Sequence, residues 1–305
     1  MVEVHIIALN AKKKEMISMH GLLIVNKEKD WTSRDVVNKI SHIFNTKKVG
    51  HTGTLDPLAT GVLVIAIGEG VKLVDSLTND TKEYIAEVKC GLSTDTLDVL
   101  GNTIEEKQTF QLEEKKLKQI LNSFIGKSIQ EVPLYSSIKV NGKRLYEYAR
   151  NGEEVDLPKR EIEIFSIELL DVKETSFNFK VKVSKGTYIR SLIRDIGLKL
   201  NIPCCMMNLK RIKQGIFDIK ESNTLEEMEN GKYKLISFYE ILKNESMVEV
   251  DEYIENKIRN GRILENRYQD DKIVFINKDK EVLAIYEKYL LDPTKVKPIK
   301  VFNLK

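Results

Sequence analysis

The chain has 305 residues, a formal net charge of +3, 31% charged residues and three cysteines. This length is typical of one large domain with a smaller one beside it. Because the charges nearly balance, net charge alone says little about nucleic-acid binding. The cysteines are too few for a disulfide framework or a structural zinc site.

Residues 1–20 precede the first recognisable element and include Lys12-Lys13-Lys14. They are predicted to be an extension, and Met16 and Met19 stand directly before the first strand as alternative starts. No segment resembles a signal peptide, and no apolar run approaches the roughly 20 residues that span a bilayer. We therefore expect a cytoplasmic protein with no membrane partner.

The first predicted elements are a strand over Gly21 to Val25, a loop to Asp30, and a helix. Thr32 or Ser33 is the expected N-cap because Ser and Thr side chains accept bonds from the free amides of a first turn. The apolar residues that follow recur at helical spacing and define one buried face. They are Val36, Val37, Ile40, Ile43 and Phe44.

Residues Gly50 to Leu63 read GHTGTLDPLATGVL. Three glycines and one proline disfavour a regular helix or strand, so the segment is predicted to be a shaped loop. Asp56 precedes Pro57, which disfavours helical backbone and favours an extended conformation. The strand after the loop, Val62 to Ile67, is apolar on both faces and is predicted to lie inside a sheet.

The next elements are a short helix over Gly70 to Leu77, a strand over Lys82 to Cys90 and a polar turn over Gly91 to Asp98. A helix follows over Leu112 to Phe124, with Gly126 as its C-terminal stop. Helices and strands do not alternate strictly, which favours an α+β fold over a doubly wound sheet.

Residues Pro133 to Gly152 read PLYSSIKVNGKRLYEYARNG. Asn141-Gly142 predicts a tight hairpin turn. Basic and aromatic side chains interleave around it, Lys139 among them, a pattern that suits a flexible RNA strand. An ordinary hairpin leading into a helix would also fit these residues.

Two strands are predicted over Glu161 to Val172 and Ser176 to Ser184. The second leads into Lys185 to Gly197, where apolar residues at helical spacing place Arg190 near the start of a helix. Past the predicted short helices of Thr224 to Ser246, short strands within Val248 to Lys305 predict a small β-rich barrel.

Three of these segments, in this order, closely resemble motifs of the TruB family of tRNA pseudouridine synthases. They are GHTGTLDPLATGVLVIAIGEGVK, KGTYIRSLIRDIG and NLKRI. The Pro133 to Gly152 segment also resembles the family's RNA-contacting thumb. The resemblance is dense from Gly21 to about Arg211 and looser beyond.

The resemblance implies a catalytic domain over residues 21–245, with a mixed or antiparallel central sheet and a thumb insertion. It also implies a PUA-like RNA-binding domain over residues 246–305. The implied activity is isomerisation of uridine to pseudouridine at position 55 in the T-arm loop of tRNA, without a cofactor, a metal or a guide RNA, by a monomer.

The implied site residues follow from matching positions in the motifs. Asp56 is the nucleophile, Arg190 its guanidinium partner, and Tyr84 the ring that stacks on the flipped base. Tyr188 and Leu209 are pocket residues, His51 holds the displaced RNA loop, and Lys139 contacts RNA. Asp95 is expected to orient Arg190 or to close the pocket. Both the ribose C1′ and the uracil ring remain open as points of attack by Asp56, and the acceptor of the C5 proton is unassigned.

Three other interpretations compete with this one. The first is an RNA-binding or tRNA-folding protein with the same fold and no chemistry, against which the intact Asp56, Tyr84 and Arg190 argue. The second is a hydrolase that uses Asp56 with His51 and releases free uracil. The third is a guide-RNA-dependent relative, which the length and the ending of the chain disfavour.

Overall fold

The computed structural model describes residues 19–78 and 80–304. The predicted extension therefore lies outside the described residues, apart from Met19 and His20. In the described part the strands are β1 (Gly21–Lys27), β2 (Val49–His51), β3 (Thr60–Ile67), β4 (Lys82–Cys90), β5 (Leu92–Thr94), β6 (Thr103–Glu106), β7 (Gly126–Glu131), β8 (Lys139–Val140), β9 (Lys143–Arg144), β10 (Lys159–Val172), β11 (Ser176–Val183), β12 (Cys204–Gln214), β13 (Phe217–Asp218), β14 (Met247–Glu249), β15 (Leu264–Glu265), β16 (Lys272–Ile276), β17 (Val282–Lys288) and β18 (Lys295–Val301).

The α-helices of the same part are short, and two single 3₁₀ segments accompany them, Gly68–Leu73 and Ile219–Glu221. The helices are α1 (Ser33–Ile43), α2 (Val74–Thr78), α3 (Glu114–Asn122), α4 (Leu145–Asn151), α5 (Ile189–Leu200), α6 (Leu225–Glu229), α7 (Phe238–Leu242) and α8 (Glu252–Arg259).

A nine-stranded sheet forms the centre of the molecule, in the order β1-β3-β12-β4-β11-β10-β7, with β2 beside β3 and β13 beside β12. Its pairs are antiparallel except for β3 with β12. All but the first residue of β3 are buried, as its two apolar faces predicted. The predicted α+β fold with a mixed central sheet is confirmed.

Helices α1 and α5 fix the two sides of the site. α1 begins at a capping box, in which the Thr32 side chain accepts from the amide of Asp35 and the Asp35 carboxylate accepts from the amide of Thr32. α5 buries Ile189, Leu192 and Ile193 in the core. Arg190 lies in its first turn, as predicted.

The structure corrects two sequence predictions. The helix expected over Gly70 to Leu77 is the 3₁₀ segment Gly68–Leu73 followed by α2. The turn expected over Gly91 to Asp98 contains β5, which pairs with β6, a partner that local sequence does not reveal. The C-terminal unit is β-rich, as predicted, and also contains α8, in which Ile258 is buried.

The C-terminal unit is a five-stranded sheet in the order β14-β16-β17-β18-β15. It packs against the segment that follows β3, because Leu73 shares an apolar cluster with Phe238 and Phe302. The carboxylate of Glu69 accepts from the amide of Asn303 at 3.2 Å. The C-terminal sheet is therefore anchored behind the strand that leaves the glycine-rich loop.

Candidate active site

The loop between β2 and β3 has the shape that its glycines and proline predict. The carbonyl of Asp56 accepts from the amide of Ala59 at 3.0 Å, which closes a turn with Pro57 at its second position. Pro favours this position because its φ is already set for the turn. Gly61 has a φ of +97°, and a Cβ there would collide with the carbonyl of Arg211.

Buried Lys27 holds the proline end of this loop. Its ammonium donates to the carbonyls of Trp31 (2.6 Å), Glu28 (2.9 Å) and Pro57 (3.2 Å). Burial lowers the pKa of Lys27 to about 8, with the Asp56 charge acting in the opposite direction. The three carbonyl contacts compensate part of the cost of burying this amine.

Buried Arg211, on β12, holds the other end. Its Nε donates to the carbonyl of Val62 at 2.7 Å, and its Nη2 donates to the carbonyl of Gly53 at 3.0 Å. Close by, the Gln214 side-chain amide donates to the Thr52 hydroxyl at 2.6 Å. Both arms of the loop are thus fixed to the central sheet before any substrate arrives.

Asp56 and Arg190 form a two-point ion pair at the tip of the loop. Nε of Arg190 lies 2.9 Å from Oδ2 of Asp56, and its Nη2 donates to Oδ1 at 3.1 Å. The same guanidinium donates to the carbonyls of Thr96 and Tyr135, both at 2.9 Å. A planar guanidinium matches both carboxylate oxygens, so it fixes the direction of the carboxylate as well as balancing its charge.

The two partners differ in exposure, which matters for chemistry. The Arg190 side chain is 6% exposed and the Asp56 side chain 35% exposed. The arginine therefore acts from within the protein, while the carboxylate remains accessible to a bound molecule.

The carboxylate faces a cavity of about 700 Å³, a size that accommodates a nucleotide. Its wall combines aromatic rings with cations. The side chains that matter here are Asp56, Lys82, Tyr84, Tyr135, Tyr146, Arg160, Tyr188, Arg190, Leu209 and Arg211. A planar, uncharged base and an anionic backbone both find complementary groups on such a wall.

Tyr84 and Leu209 lie on the neighbouring strands β4 and β12, and both are largely buried. Tyr188 is the N-cap residue of α5. Burial raises the pKa of the Tyr188 hydroxyl, and the Arg160 guanidinium, 5.4 Å from its ring centre, acts in the opposite direction. The structure thus brings Asp56, Arg190, Tyr84, Tyr188 and Leu209 to one cavity.

The other three predicted site residues do not line this cavity. His51 lies on β2 with its Nδ1 buried and without a partner, and burial, followed by the Arg211 charge, lowers its pKa. Lys139 is exposed at the start of the β8–β9 hairpin. The Asp95 carboxylate, expected to orient Arg190 or to close the pocket, bonds to Asn102 and does not line the cavity.

The position of Asp95 has a simple physical reason. Its carboxylate accepts from the amide and the side chain of Asn102, at 2.8 and 3.0 Å, and so closes the β5–β6 hairpin. The turn reaches Arg190 through the backbone of the next residue, the carbonyl of Thr96. Sequence motifs identify side chains, and a contact made by a carbonyl leaves no residue-type signal.

Sequence reasoning missed Lys82, which lines the cavity two residues before Tyr84. Its amine donates to the carbonyls of Thr78 (3.1 Å) and Asp80 (3.0 Å). Burial lowers its pKa to about 8, followed by the Arg211 charge. The period of two along β4 was the available signal, because Lys82 and Tyr84 must share a face.

Over residues 19–78 and 80–304, no three His, Cys, Asp or Glu side chains are grouped as metal ligands. In the same part of the chain, no helix is long and apolar enough to cross a membrane.

Comparison with known proteins identifies relatives along nearly the whole chain. Residues 41–189 match the profile described as TruB family pseudouridylate synthase (N terminal domain). A protein of Oceanobacillus iheyensis named tRNA pseudouridine synthase B is 42% identical, over 94% of this chain and 98% of its own length. Proteins of the same name from Clostridium tetani and Staphylococcus aureus are each 43% identical, over 88% and 93% of this chain and 92% and 99% of their own lengths.

Solved structures agree at the level of the fold. A structure of an H/ACA RNP bound to a substrate RNA containing 2′-deoxyuridine aligns with a TM-score of 0.70 and 23% identity, over 96% of this chain and 88% of that one. A Cbf5-Nop10-Gar1 complex aligns with a TM-score of 0.69 and 24% identity, over 96% and 87%. Both alignments cover nearly all of this chain, so these proteins share its overall fold.

Proposed function

The chain belongs to the TruB family of pseudouridylate synthases, and we propose that it isomerises uridine 55 in the T-arm loop of tRNA with Asp56 as the nucleophile. It is a tRNA pseudouridine synthase, an isomerase. The position modified, the role of each side chain and the extrusion of the target base are the parts that we propose.

The reaction exchanges one glycosidic bond for another. The N1–C1′ bond breaks, the C5–C1′ bond forms, the C5 proton leaves and N1 gains a proton, so no oxidant, reductant or water is consumed. Such a reaction needs a nucleophile, a pocket in which the detached base can turn, and a proton acceptor. We assign the first role to Asp56, because nucleophilic carboxylates form covalent intermediates in other glycoside chemistry.

The observation that carries this assignment is the two-point Asp56–Arg190 pair at the mouth of the cavity. Arg190 occupies both carboxylate oxygens from the protein side and leaves the carboxylate one-third exposed on the cavity side. A reacting sugar or base can reach it there without displacing the arginine. The aromatic rings of Tyr84 and Tyr188 line the same cavity.

The target uridine lies within a structured loop, so it must leave the stack before it reaches Asp56. Extrusion costs roughly a few kcal/mol, and stacking on an aromatic ring returns on the order of 1–3 kcal/mol per base. We assign that ring to Tyr84. We assign Leu209 and Tyr188 to the remaining wall, and His51 to the RNA outside the cavity.

For the rest of the tRNA we propose the thumb, residues Pro133 to Gly152, and the PUA-like C-terminal domain. Lys139 on the thumb is exposed and available to a phosphate. The domain boundaries at residues 21, 245 and 246 remain our proposal, as do monomeric action without a guide RNA and the cytoplasmic location.

The experiment is pseudouridine mapping by carbodiimide labelling and primer extension, on an unmodified tRNA transcript with purified protein and no cofactor. We expect a stop at position 55 with the wild type and none with Asp56→Asn, while tRNA binding by the variant stays within about threefold, because a single exposed carboxylate contributes little contact surface. Asp171→Asn, at an exposed position of β10 outside the thumb and the C-terminal domain, is the matched control.

Each alternative has its own outcome. Binding without a stop from the wild type would indicate a non-catalytic tRNA-binding protein. Release of free uracil would indicate a hydrolase. Undiminished turnover by Asp56→Asn would remove Asp56 from the role of nucleophile.

A further inference from the structure

Gln130 is a buried polar residue that no step of the proposed reaction uses. It lies on β7, is 2% exposed, and does not line the cavity. Its side-chain Oε1 accepts from the amide of Tyr188 at 2.8 Å, and its Nε2 donates to the carbonyl of Tyr188 at 3.1 Å. One side chain thus satisfies both backbone groups of one residue 58 positions away in the chain.

Tyr188, to which Gln130 bonds, is the N-cap residue of α5. Helix N-termini are usually fixed by a Ser, Thr, Asp or Asn side chain. α5 has no capping side chain of its own, since Tyr188 occupies the N-cap position. The side chain of Gln130 therefore supplies, from a neighbouring strand, a tie that the helix sequence lacks.

Neighbouring residues tie the same two elements together. The hydroxyl of Ser191 donates to the carbonyl of Glu131 at 2.9 Å, and Arg194 pairs with the Glu131 carboxylate at 3.0 Å. Ser191 and Arg194 both lie within α5. Gln130 is the one of these three that bonds to Tyr188, the residue directly before the first turn.

The position of that turn decides the geometry of the carboxylate. Arg190 makes four contacts of 2.9–3.1 Å, with Asp56, Thr96 and Tyr135. A displacement of the helix start by about 1 Å would break this set, and misplacement of that size typically costs on the order of 100-fold in rate.

We propose that Gln130 is a positioning residue for catalysis: its side-chain amide clamps the backbone of Tyr188 and thereby sets the place from which Arg190 directs Asp56. The inference rests on the proposed function. The proposal separates a role in chemistry from a role in stability, because Gln130 acts on the residue before α5, while the apolar face, Ser191 and Arg194 hold the helix itself.

Gln130→Glu provides a sharp test, because a carboxyl group changes its hydrogen-bonding pattern with protonation. A protonated glutamic acid offers one acceptor and one donor, as the glutamine amide does. An ionised glutamate offers two acceptors, one of which would face the carbonyl of Tyr188. Burial raises the pKa of a carboxyl by up to about 3–5 units, so we expect an assay from pH 5.5 to 8.5 to span this change.

The measurement is the single-turnover rate of pseudouridine formation from pH 5.5 to 8.5, with tRNA binding and thermal unfolding at each pH. We expect Gln130→Glu to be at least tenfold slower than the wild type at pH 8.5, and its rate relative to the wild type to recover at least fivefold by pH 5.5. Gln130→Met, which lacks both hydrogen bonds, should be slow at every pH. Gln119→Glu, at an exposed position of α3, is the matched control.

The outcomes distinguish a positioning role of Gln130 from a structural one. A ratio of variant to wild type that does not change with pH, or wild-type rates in both variants, would overturn the clamp. A rate loss that follows loss of folded protein or of tRNA binding would also overturn it in favour of a structural role. If Gln130→Met fails to fold, the pH dependence of Gln130→Glu alone decides. An inactive wild type would refute the proposed function instead.

Discussion

The floor of the cavity and the thumb are held in different ways. The floor is the loop of residues 50–61 with β3, β4 and β12. Its backbone carbonyls are bonded to the buried cations Lys27 and Arg211, which lie far away in sequence. The thumb is held mostly by local contacts, such as the Lys143–Glu153 ion pair at 2.6 Å and the guanidinium of Arg150 over the ring of Tyr146.

The difference indicates that the floor and the thumb serve different parts of the function. A buried contact is costly to rearrange, because the groups it frees are left without partners. Exposed ion pairs contribute roughly 0–1 kcal/mol each and exchange readily with water or another partner. We therefore expect substitutions in the floor to change the rate of the chemical step, and substitutions in the thumb to change the affinity for RNA.

The largest effect is expected at Arg190, the partner on α5 of the floor residue Asp56. Arg190→Lys keeps the charge but loses the two-point contact with Asp56 and at least one of the bonds to the Thr96 and Tyr135 carbonyls. The single-turnover rate should fall by about 100-fold or more. Arg194→Lys is the matched control, since Arg194 lies one turn further on α5 and does not line the cavity. Equal losses in both variants would contradict a specific role for Arg190.

Tyr84→Leu tests the stacking surface of the floor. It removes the ring and keeps an apolar side chain, so the rate should fall by roughly 50-fold, the worth of one stacked base. The thermal midpoint should change much less, and Tyr84→Phe should retain most of the stacking. A collapsed thermal transition in Tyr84→Leu would instead show that the ring serves the core.

The third prediction concerns pH and the buried amine of Lys82. Its folded-state pKa of about 8 lies below the ordinary value of 10.5, so between these values the folded protein has released a proton that the unfolded chain still holds. Stability must then rise with pH across this window, relative to Lys82→Met, by on the order of 1–2 kcal/mol. Denaturant titrations of both proteins at pH 7.5 and 10 measure the difference. A wild-type stability that falls or stays constant relative to Lys82→Met between these two pH values would contradict the lowered pKa.

The smallest effect is expected in the thumb. Lys139→Ala removes one exposed cation, so the dissociation constant for tRNA should rise about threefold and its dependence on salt should weaken. The single-turnover rate at saturating tRNA should equal that of the wild type. A lower rate at saturation would show that the thumb shapes the chemical step, and the contrast between the two regions would fail.

The sequence by itself determined the features that depend on neighbouring residues. The glycines and Pro57 predicted the shaped loop, and apolar periodicity predicted α1 and α5. Asn141-Gly142 predicted the hairpin turn, where both residues have positive φ, at 52° and 84°. Backbone preferences and side-chain periodicity act within a few residues, so they can be read along the chain.

Only the tertiary structure decided which side chains meet. Arg211 reaches Gly53 across 158 residues and Gln130 reaches Tyr188 across 58. The same packing places His51 and Lys139 outside the cavity, directs Asp95 to Asn102 and adds Lys82 to the wall. These contacts depend on the order and register of the strands, and many of them end on backbone carbonyls that every residue type carries. The pattern of residue types along the chain therefore does not predict the contacts that end on carbonyls.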